Sequence, residues 1–523
     1  SHLHGEQVKK VERHLRVLRF YAPKALEQMY AERAKELKAE RKAAEGDDAK
    51  KNEEDDEPIK ITGDTWEQRL KDIQMSMYRQ TLSRAAHQHI TSPGYTPLLK
   101  GKVDALVPAP LKGSADAMAT SPDTRGLGAA FPKIKNETAV KRFREGLVRV
   151  RKDLDNVNAA LNYLQASEII DTIVDLNDNT VELPETVIAY ELGDGAASQL
   201  DDFSSVIWPY DLEQFRRNVD GKFYGVGIQI SKRDGRLTVE AGAQAALTDA
   251  HRAGIRANDL IAKVNGEDTS DWTLDRAVRE ITGPEGTTVK LGIERAGQAA
   301  LIDFELKRAE IVIESIKGWD HAPGGGWTYY IDKANKIGYV RMSQFIPQTK
   351  DGLDEAIEAM EKDAGLNALI LDLRGNPGGL LSSAIDISDR FVGEGTIVST
   401  VNSQNRETRR YEARAERTYR RFPIVVLVNQ GSASASEIVS GAIQDYQRGL
   451  IIGTRSFGKG SVQDVFPIDN SIAALRLTTQ YYRLPAGRII HRKPGEKTWG
   501  IHPDIEVKMT ATQVTDIFTS MSG

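Results

Sequence analysis

PIVVLVNQGSASASEIVSGAIQDY, residues 423–446, runs from a β-branched apolar stretch (Ile424 to Val428) through small and polar residues into a helical pattern that opens near Ser434. A buried strand reads as a short continuous apolar run, and helical periodicity directly after it marks one strand–helix unit of an α/β sheet. A serine at that junction sits where free helix N–H groups and the positive end of the helix dipole stabilise developing negative charge. Its small neighbours, Ala433 and Ala435, let a substrate backbone approach closely. The same residues also spell a capping box, Ser434-Ala435-Ser436-Glu437, in which the serine merely closes a helix end. On this stretch alone the cap is the commoner outcome.

Downstream, RSFGKGSVQ (455–463) sets Lys459 between Gly458 and Gly460, in a loop after the strand-like GLIIGT. A lysine activates a serine only where burial lowers its pKa from ~10.4 toward ~7–8, so that neutral amine is present. Gln463, four residues on, is placed to hydrogen-bond such an amine. An exposed surface lysine is the alternative, and chemistry alone does not choose between them. Upstream, LILDLRGNPGGLL (369–381) ends a strand in Arg374-Gly375-Asn376-Pro377-Gly378-Gly379. Consecutive glycines permit positive φ and expose backbone N–H groups. They suit half of an oxyanion hole, with the Ala435 N–H as the other half, and suit a plain strand-to-helix turn equally well.

The frame around these stretches is an alternation. Over residues 311–507, strands (KIGYVRMSQF, ALILDLRG, PIVVLVNQ, GLIIGT) alternate with helices (Leu353 to Asp363, Leu381 to Phe391, Ala435 to Tyr446). That is the pattern of an α/β core with largely parallel strands. Ahead of it, Gly221 to Arg308 carries short β-type runs such as YGVGIQI, RLTVEA and TTVKLGI around one helix, Leu274 to Ile281. The first 209 residues read mostly as helix: Val8 to Ala43, Thr65 to His89, Glu137 to Leu176 and Pro184 to Val206. Two stretches interrupt them, the acidic run Glu45 to Glu57 as a flexible linker and the Pro/Gly/Ser-rich Thr91 to Lys135 as a long loop. The expected fold class is multidomain α+β, with a helical N-terminal region (1–209), a β-rich module (210–310), an α/β core (311–507) and a tail (508–523). A chain of 523 residues exceeds what one core supports, since single domains stop growing near ~250–300 residues.

Composition excludes several function classes. The chain is 40% hydrophobic and 28% charged with a net charge of −5, which gives no pull toward nucleic acid or anionic membrane. The run Arg406 to Arg421 interleaves Arg with Tyr, but Glu407, Glu412 and Glu416 make it a solvated hairpin or loop. No stretch approaches the ~20 apolar residues of a membrane span, so no integral membrane segment is expected. There is no cysteine, which removes disulfides, cysteine nucleophiles and thiolate metal sites. The chain opens Ser1-His2-Leu3-His4 rather than with Met, and the expectation is a cloning remnant or a processed end from which an export signal has been cut. There is no H-E-x-x-H and no G-x-S-x-G, and none of the nine histidines stands in a triad context. His87 and His89, two apart on a helix, face different ways, while His491 and His502 read as loop or surface residues. No metal and no organic cofactor is expected.

Five stretches in this order resemble the C-terminal processing peptidases, or tail-specific proteases: DLRGNPGG (372–379), GSASASE (431–437), FGKGSVQ (457–463), YYRLPAGRII (481–490) and GIHPDIEV (500–507). The 25-residue step from Ser434 to Lys459 is the spacing this family uses. The resemblance covers roughly residues 210–507 and implies a core with ClpP/crotonase-like strand–helix alternation. It implies Ser434 as nucleophile, Lys459 as general base, Gln463 as the residue orienting that lysine, and the N–H groups of Gly379 and Ala435 as the oxyanion hole. Ser432 and Ser436 are flanking serines.

Residues 210–310 resemble the PDZ domain this family inserts before its core. Tyr224, Gly225, Val226, Gly227 and Ile228 are similar to a carboxylate-binding loop leading into an edge strand, where an extended peptide adds as a further strand. Leu274 and Val278, one helical turn apart, either line the pocket for an apolar last residue or belong to the domain core. The resemblance implies a serine endopeptidase for proteins with apolar free C-termini, working in a periplasm or another exported compartment. The alternative on the same folds is a catalytically silent PDZ-containing binding protein. A crotonase-type acyl-CoA enzyme shares the paired N–H groups but has no use for the Ser434/Lys459 pair. The N-terminal helices exceed the family's short helical lead, and dimerisation, adaptor docking and substrate enclosure are all open to them.

Overall fold

The computed structural model describes residues 15–45, 64–106, 130–157, 159–220, 222–233, 235–240, 248–312, 314–322, 326–419, 422–493, 495–510 and 512–513. The acidic run after Glu45, and residues 107–129 of the stretch read as a long loop, lie outside them. The chain divides into two compact units. One comprises residues 1–212, 271–273 and 465–477, and the other 213–270, 274–464 and 478–523.

The first unit is helical. Met75–Gln88, Tyr95–Leu106, Glu137–Asp155, Tyr163–Asp178 and Glu185–Ala197 contribute to a core that includes Leu70, Tyr78, Leu98, Leu147, Ile173 and Leu192. Local side chains set the helix starts: Asn136 accepts from the Ala139 N–H, and Asn162 with Gln165 completes a capping box. Two sequence expectations change here. Tyr95–Leu106 is helix where the sequence reads as loop, because Tyr95, Leu98 and Leu99 form a buried i, i+3, i+4 stripe too short to stand out. The span from Glu137 to Leu176 is two helices rather than one, since Asn156 caps the end of the first and Asn162 the start of the second. Ser205–Ile207 pairs antiparallel with residues 474–476, so this unit takes a strand from far along the chain.

The second unit opens with an antiparallel sheet in the order Ile230–Arg233, Arg236–Val239, Leu260–Val264, Thr288–Glu294, Ile302–Lys307. Ile230–Arg233 is its edge, and the helix Leu274–Ile281 packs near that edge strand. Lys222–Gly225 pairs separately with Ala309–Val312.

The α/β core follows. Ile337–Met342, Ala368–Asp372, Ile424–Val428 and Gly449–Gly453 pair in parallel, in that order, and Ile505–Glu506 continues the sheet in parallel. These are the four runs the alternation predicts. Strands covered on both faces bury every second position or more, hence the Ile/Val/Leu content of IVVLV and ALILD. The helices Thr349–Asp363, Leu381–Asp389 and Ala435–Asp445 supply Leu353, Ile357, Ile387, Ile438 and Ile443 to a core shared with Leu371, Val426 and Ile451. A second, antiparallel sheet contains Thr396–Val401, Glu407–Glu412, Ser461–Ile468 and Ala473–Arg483. The basic run from Arg406 therefore begins as a strand, solvated and carrying a Glu407–Arg410 ion pair. Among the described residues no helix is long and apolar enough to cross a membrane.

Candidate active site

The strand Ile424–Val428 delivers the chain to a turn that is hydrogen-bonded to its neighbour at residues 373–378. The Asn429 side-chain oxygen accepts from the Gly375 and Gly431 N–H groups, each at 2.9 Å. The Ala433 N–H donates to the Asn376 carbonyl at 3.0 Å, and the Asn376 amide reaches the Met342 carbonyl at 2.9 Å. The flanking serines belong to this lattice. The Ser432 hydroxyl donates to the Leu373 carbonyl at 2.7 Å, and that of Ser436 to the Asn376 carbonyl at 3.0 Å.

Ser434 differs from both. It heads the helix Ala435–Asp445 with φ 55° and ψ −114°, whereas an ordinary N-cap residue is extended. A non-glycine residue in that region carries strain of order 1–3 kcal/mol, and such strain collects at functional sites. The Ser-x-x-Glu box is closed from the glutamate side: Glu437 accepts from the Ser434 N–H at 2.8 Å, while the Glu437 N–H lies on the Ser434 carbonyl at 2.8 Å.

Gly378, at φ +100°, lies directly against this serine. A Cβ there would stand 2.7 Å from the Ala433 carbonyl oxygen, 2.8 Å from the Ser434 Cβ and 2.9 Å from the Ala435 nitrogen. Gly379, at φ +150°, bridges to Phe345, whose carbonyl accepts the Leu380 N–H at 2.8 Å. Gly378 donates its own N–H to the Asn376 side chain at 2.9 Å. Among the described residues, the N–H groups of Gly379 and Ala435 have no protein acceptor. Both therefore have a donor to offer to a third party.

Glu437 is the residue whose role the sequence conceals. It is fully buried, and besides Ser434 its carboxylate accepts from the Gly458 N–H at 2.7 Å, the Lys459 N–H at 2.8 Å and the Ser456 hydroxyl. One carboxylate thus holds the backbone of Ser434 and the backbone of Lys459. Burial pushes its pKa up, against the opposing pull of those four donors. The S-x-x-E spacing betrays its bond to the helix start; the two N–H groups from the glycine loop are non-local and leave no local signature.

Lys459 is half-buried, and its loop is fixed on both sides. The Gly458 carbonyl accepts from the Arg492 N–H at 2.8 Å and the Gly460 carbonyl from the Tyr482 N–H at 2.8 Å. Trp499 packs so closely on Gly458 that a Cβ would come within 2.5 Å of its ring. Gln463 lies on the strand Ser461–Ile468, and its amide nitrogen donates to the Ser461 hydroxyl at 2.9 Å and to the Thr478 hydroxyl at 3.3 Å. That leaves its carbonyl oxygen to accept.

In the antiparallel module, YGVGIQI is not one strand. Tyr224 and Gly225 end the strand paired with Ala309–Val312, and Gly227, at φ +78° against Thr248, turns the chain toward Ile230. Val226 is buried and its carbonyl accepts from Ala250, while Ile228 is half-buried. Leu274 and Val278 are half-buried, whereas Ala277 and Ile281 of the same helix are fully buried. A half-buried apolar pair beside an unpaired strand edge can receive an extended chain.

A family model for peptidase family S41 matches residues 336–507, and one for the PDZ domain matches residues 218–294. Over 366 residues, 69% of this chain and 79% of the relative, the sequence is 35% identical to the carboxy-terminal-processing protease of Bartonella bacilliformis. It is also 35% identical, over 320 residues, to the carboxyl-terminal-processing protease of Synechocystis sp., covering 60% of this chain and 70% of that one. Among solved structures, the photosystem II D1 C-terminal processing protease aligns with 78% of this chain and 98% of its own, at 23% identity and a TM-score of 0.36.

Proposed function

The chain belongs to peptidase family S41, the carboxy-terminal-processing serine proteases with a PDZ domain, and on that premise we propose that Ser434 is its nucleophile and Lys459 its general base. The observation that carries this reading is the strained Ser434 backbone at a helix start, held by the same carboxylate as the Lys459 backbone. The lysine acts as neutral amine: it takes the serine proton as Oγ attacks the scissile carbonyl, then returns a proton to the leaving amine. The developing oxyanion is received by the N–H groups of Gly379 and Ala435, whose freedom from protein acceptors supports that role. Water activated by Lys459 then releases the acyl group. The Gln463 carbonyl oxygen accepts from the amine and sets its direction, since the amide nitrogen is already engaged.

Substrates are proteins with an apolar, unblocked C-terminus. The tail adds beside Ile230–Arg233, its carboxylate on the N–H groups of the Tyr224–Ile228 loop and its last side chain between Leu274 and Val278. An exported compartment, and an adaptor or a second copy at the N-terminal helices, are the setting and partners this reading assigns.

The test is cleavage of a model protein bearing an apolar tail by the native chain, Ser434→Ala and Lys459→Ala. We expect both variants to lose at least 10³-fold in kcat, as removal of a nucleophile or its base does elsewhere. Equal cleavage by all three sinks the dyad. Tail binding by a native chain that never cleaves makes this a binding protein instead.

A further inference from the structure

Asn376 is fully buried, in the turn between the strand Ala368–Asp372 and the glycine pair. Its N–H donates to the Leu373 carbonyl at 3.2 Å and its side-chain amide to the Met342 carbonyl at 2.9 Å, which ties it to the ends of two neighbouring parallel strands. Its side-chain oxygen accepts from the Gly378 N–H at 2.9 Å, an Asx turn across Pro377, which has no N–H to compete. Of the two glycine donors, that of Gly379 is then the one left without a protein acceptor among the described residues. The Asn376 carbonyl spends both lone pairs on the other segment, accepting from the Ala433 N–H and from the Ser436 hydroxyl, each at 3.0 Å. Those two residues bracket Ser434 and Ala435.

We propose that Asn376 is a positioning residue for the oxyanion hole, its side chain holding the Gly379 donor and its carbonyl the Ala435 donor in one fixed geometry. This rests on the reading of Ser434 as nucleophile and of those two N–H groups as the hole. The donors come from two separate strand–helix junctions, so local geometry does not set their separation; Asn376 is bonded to both junctions. Direction is set as well as distance. The Gly378 carbonyl accepts from the Phe345 N–H at 3.0 Å, and across a trans peptide the next N–H points the opposite way, so the Gly379 donor is turned away from the Phe345 N–H. Donors fixed where charge develops need no reorganisation as the reaction proceeds, and a displacement of ~1 Å forfeits much of their effect. Asn376 itself exchanges no proton.

The position asks for asparagine. The Gly378 N–H needs an acceptor and the Met342 carbonyl a donor, and an amide supplies one of each from a single planar group. Aspartate has the same shape, but when ionised it only accepts, and so sets an oxygen against the Met342 carbonyl at a buried site. Ser436→Ala is the milder change. It removes one of the two donors on the Asn376 carbonyl and leaves the Ala433 N–H in place. Both changes spare the atoms assigned to the reaction.

The experiment compares the native chain, Asn376→Asp, Ser436→Ala and Ser434→Ala on one tailed protein substrate. It also measures binding of a peptidyl trifluoromethyl ketone, whose serine adduct puts an oxyanion in the hole, against the matching alcohol, which forms no adduct. We expect Asn376→Asp to lower kcat about 10- to 100-fold and to weaken the ketone by the same factor, with KM and alcohol affinity within about twofold. Ser436→Ala is expected to act in the same direction on a smaller scale, about 3- to 10-fold. A merely structural role would lower the melting temperature without moving the ketone-to-alcohol ratio of the folded protein. An unmoved ratio in both variants, with Ser434→Ala dead, overturns the role of Asn376 alone. A native chain that binds ketone and alcohol equally overturns the oxyanion hole, and cleavage retained by Ser434→Ala overturns the nucleophile; either result takes this proposal with it. If Asn376→Asp fails to fold, Ser436→Ala decides on the same ratio.

Discussion

Glu437 shows how much a single side chain can settle. Its four donors come from the helix start and from the loop carrying Lys459, so the carboxylate fixes a distance between two stretches that lie more than twenty residues apart in the chain. Burial raises its folded pKa above the ordinary value of ~4.3. A raised folded pKa contributes stability that is fully present below the unfolded value and is lost as pH rises through the folded one. Glu437→Gln, an isostere that does not titrate, removes this dependence. We therefore expect the stability of the native chain relative to Glu437→Gln to fall as pH is raised from ~4 through the window above it. Denaturant titrations of both at a series of pH values check this, and a constant difference counts against it. Activity should fall at every pH, since an amide turns an N–H donor toward N–H groups that need an acceptor.

At the scale of elements, the tail groove is the part most open to a clean test. Val278→Glu places a charge where an apolar last residue would sit, without disturbing the fully buried Ala277 and Ile281. We expect KM for a substrate with a free apolar tail to rise about tenfold, ~1.4 kcal/mol, with kcat for a short tail-less peptide unchanged. Steady-state kinetics on the two substrates separates the effects. The same scale shows what the sequence made legible. KIGYVRMSQF, ALILDLRG, PIVVLVNQ and GLIIGT all form parallel strands, because a strand buried on both faces must be apolar almost throughout and so announces itself. Tyr95–Leu106 hid, since a stripe made by Tyr95, Leu98 and Leu99 spans barely more than one turn. Ser461–Ile468 and Ala473–Arg483 hid as well, because their partly buried positions admit Gln, Asp, Thr and Arg and break up the apolar run that marks a strand buried on both faces. In the site, Ser434 and Lys459 were visible as residues at meaningful junctions. Glu437 acts through contacts that only the fold creates.

For the molecule as a whole, the division into units does not follow the order of the chain. Ile468, Ala473, Leu475 and Leu477 complete the core of the helical unit, although they follow Lys459 in sequence. Leu475 is fully buried there, and Leu475→Ala is expected to destabilise that unit by 2–5 kcal/mol, read by chemical denaturation followed through Trp66 and Trp208. A loss below ~0.5 kcal/mol, the level of a surface substitution, would mean that the strand contributes nothing to the helices. That late-arriving strand also orders events during synthesis. Domains ordinarily fold as they leave the ribosome, at ~5–20 residues per second. Here the helices are finished by residue 212, yet their last core strand is not made until residue 477, about 265 residues and roughly 13–50 s later. For that interval the nascent N-terminal unit carries an open apolar face, while the segment bearing Ser434 and Lys459 is still being translated. A unit whose helices precede the Ser434 segment in the chain is therefore closed only after that segment has been made.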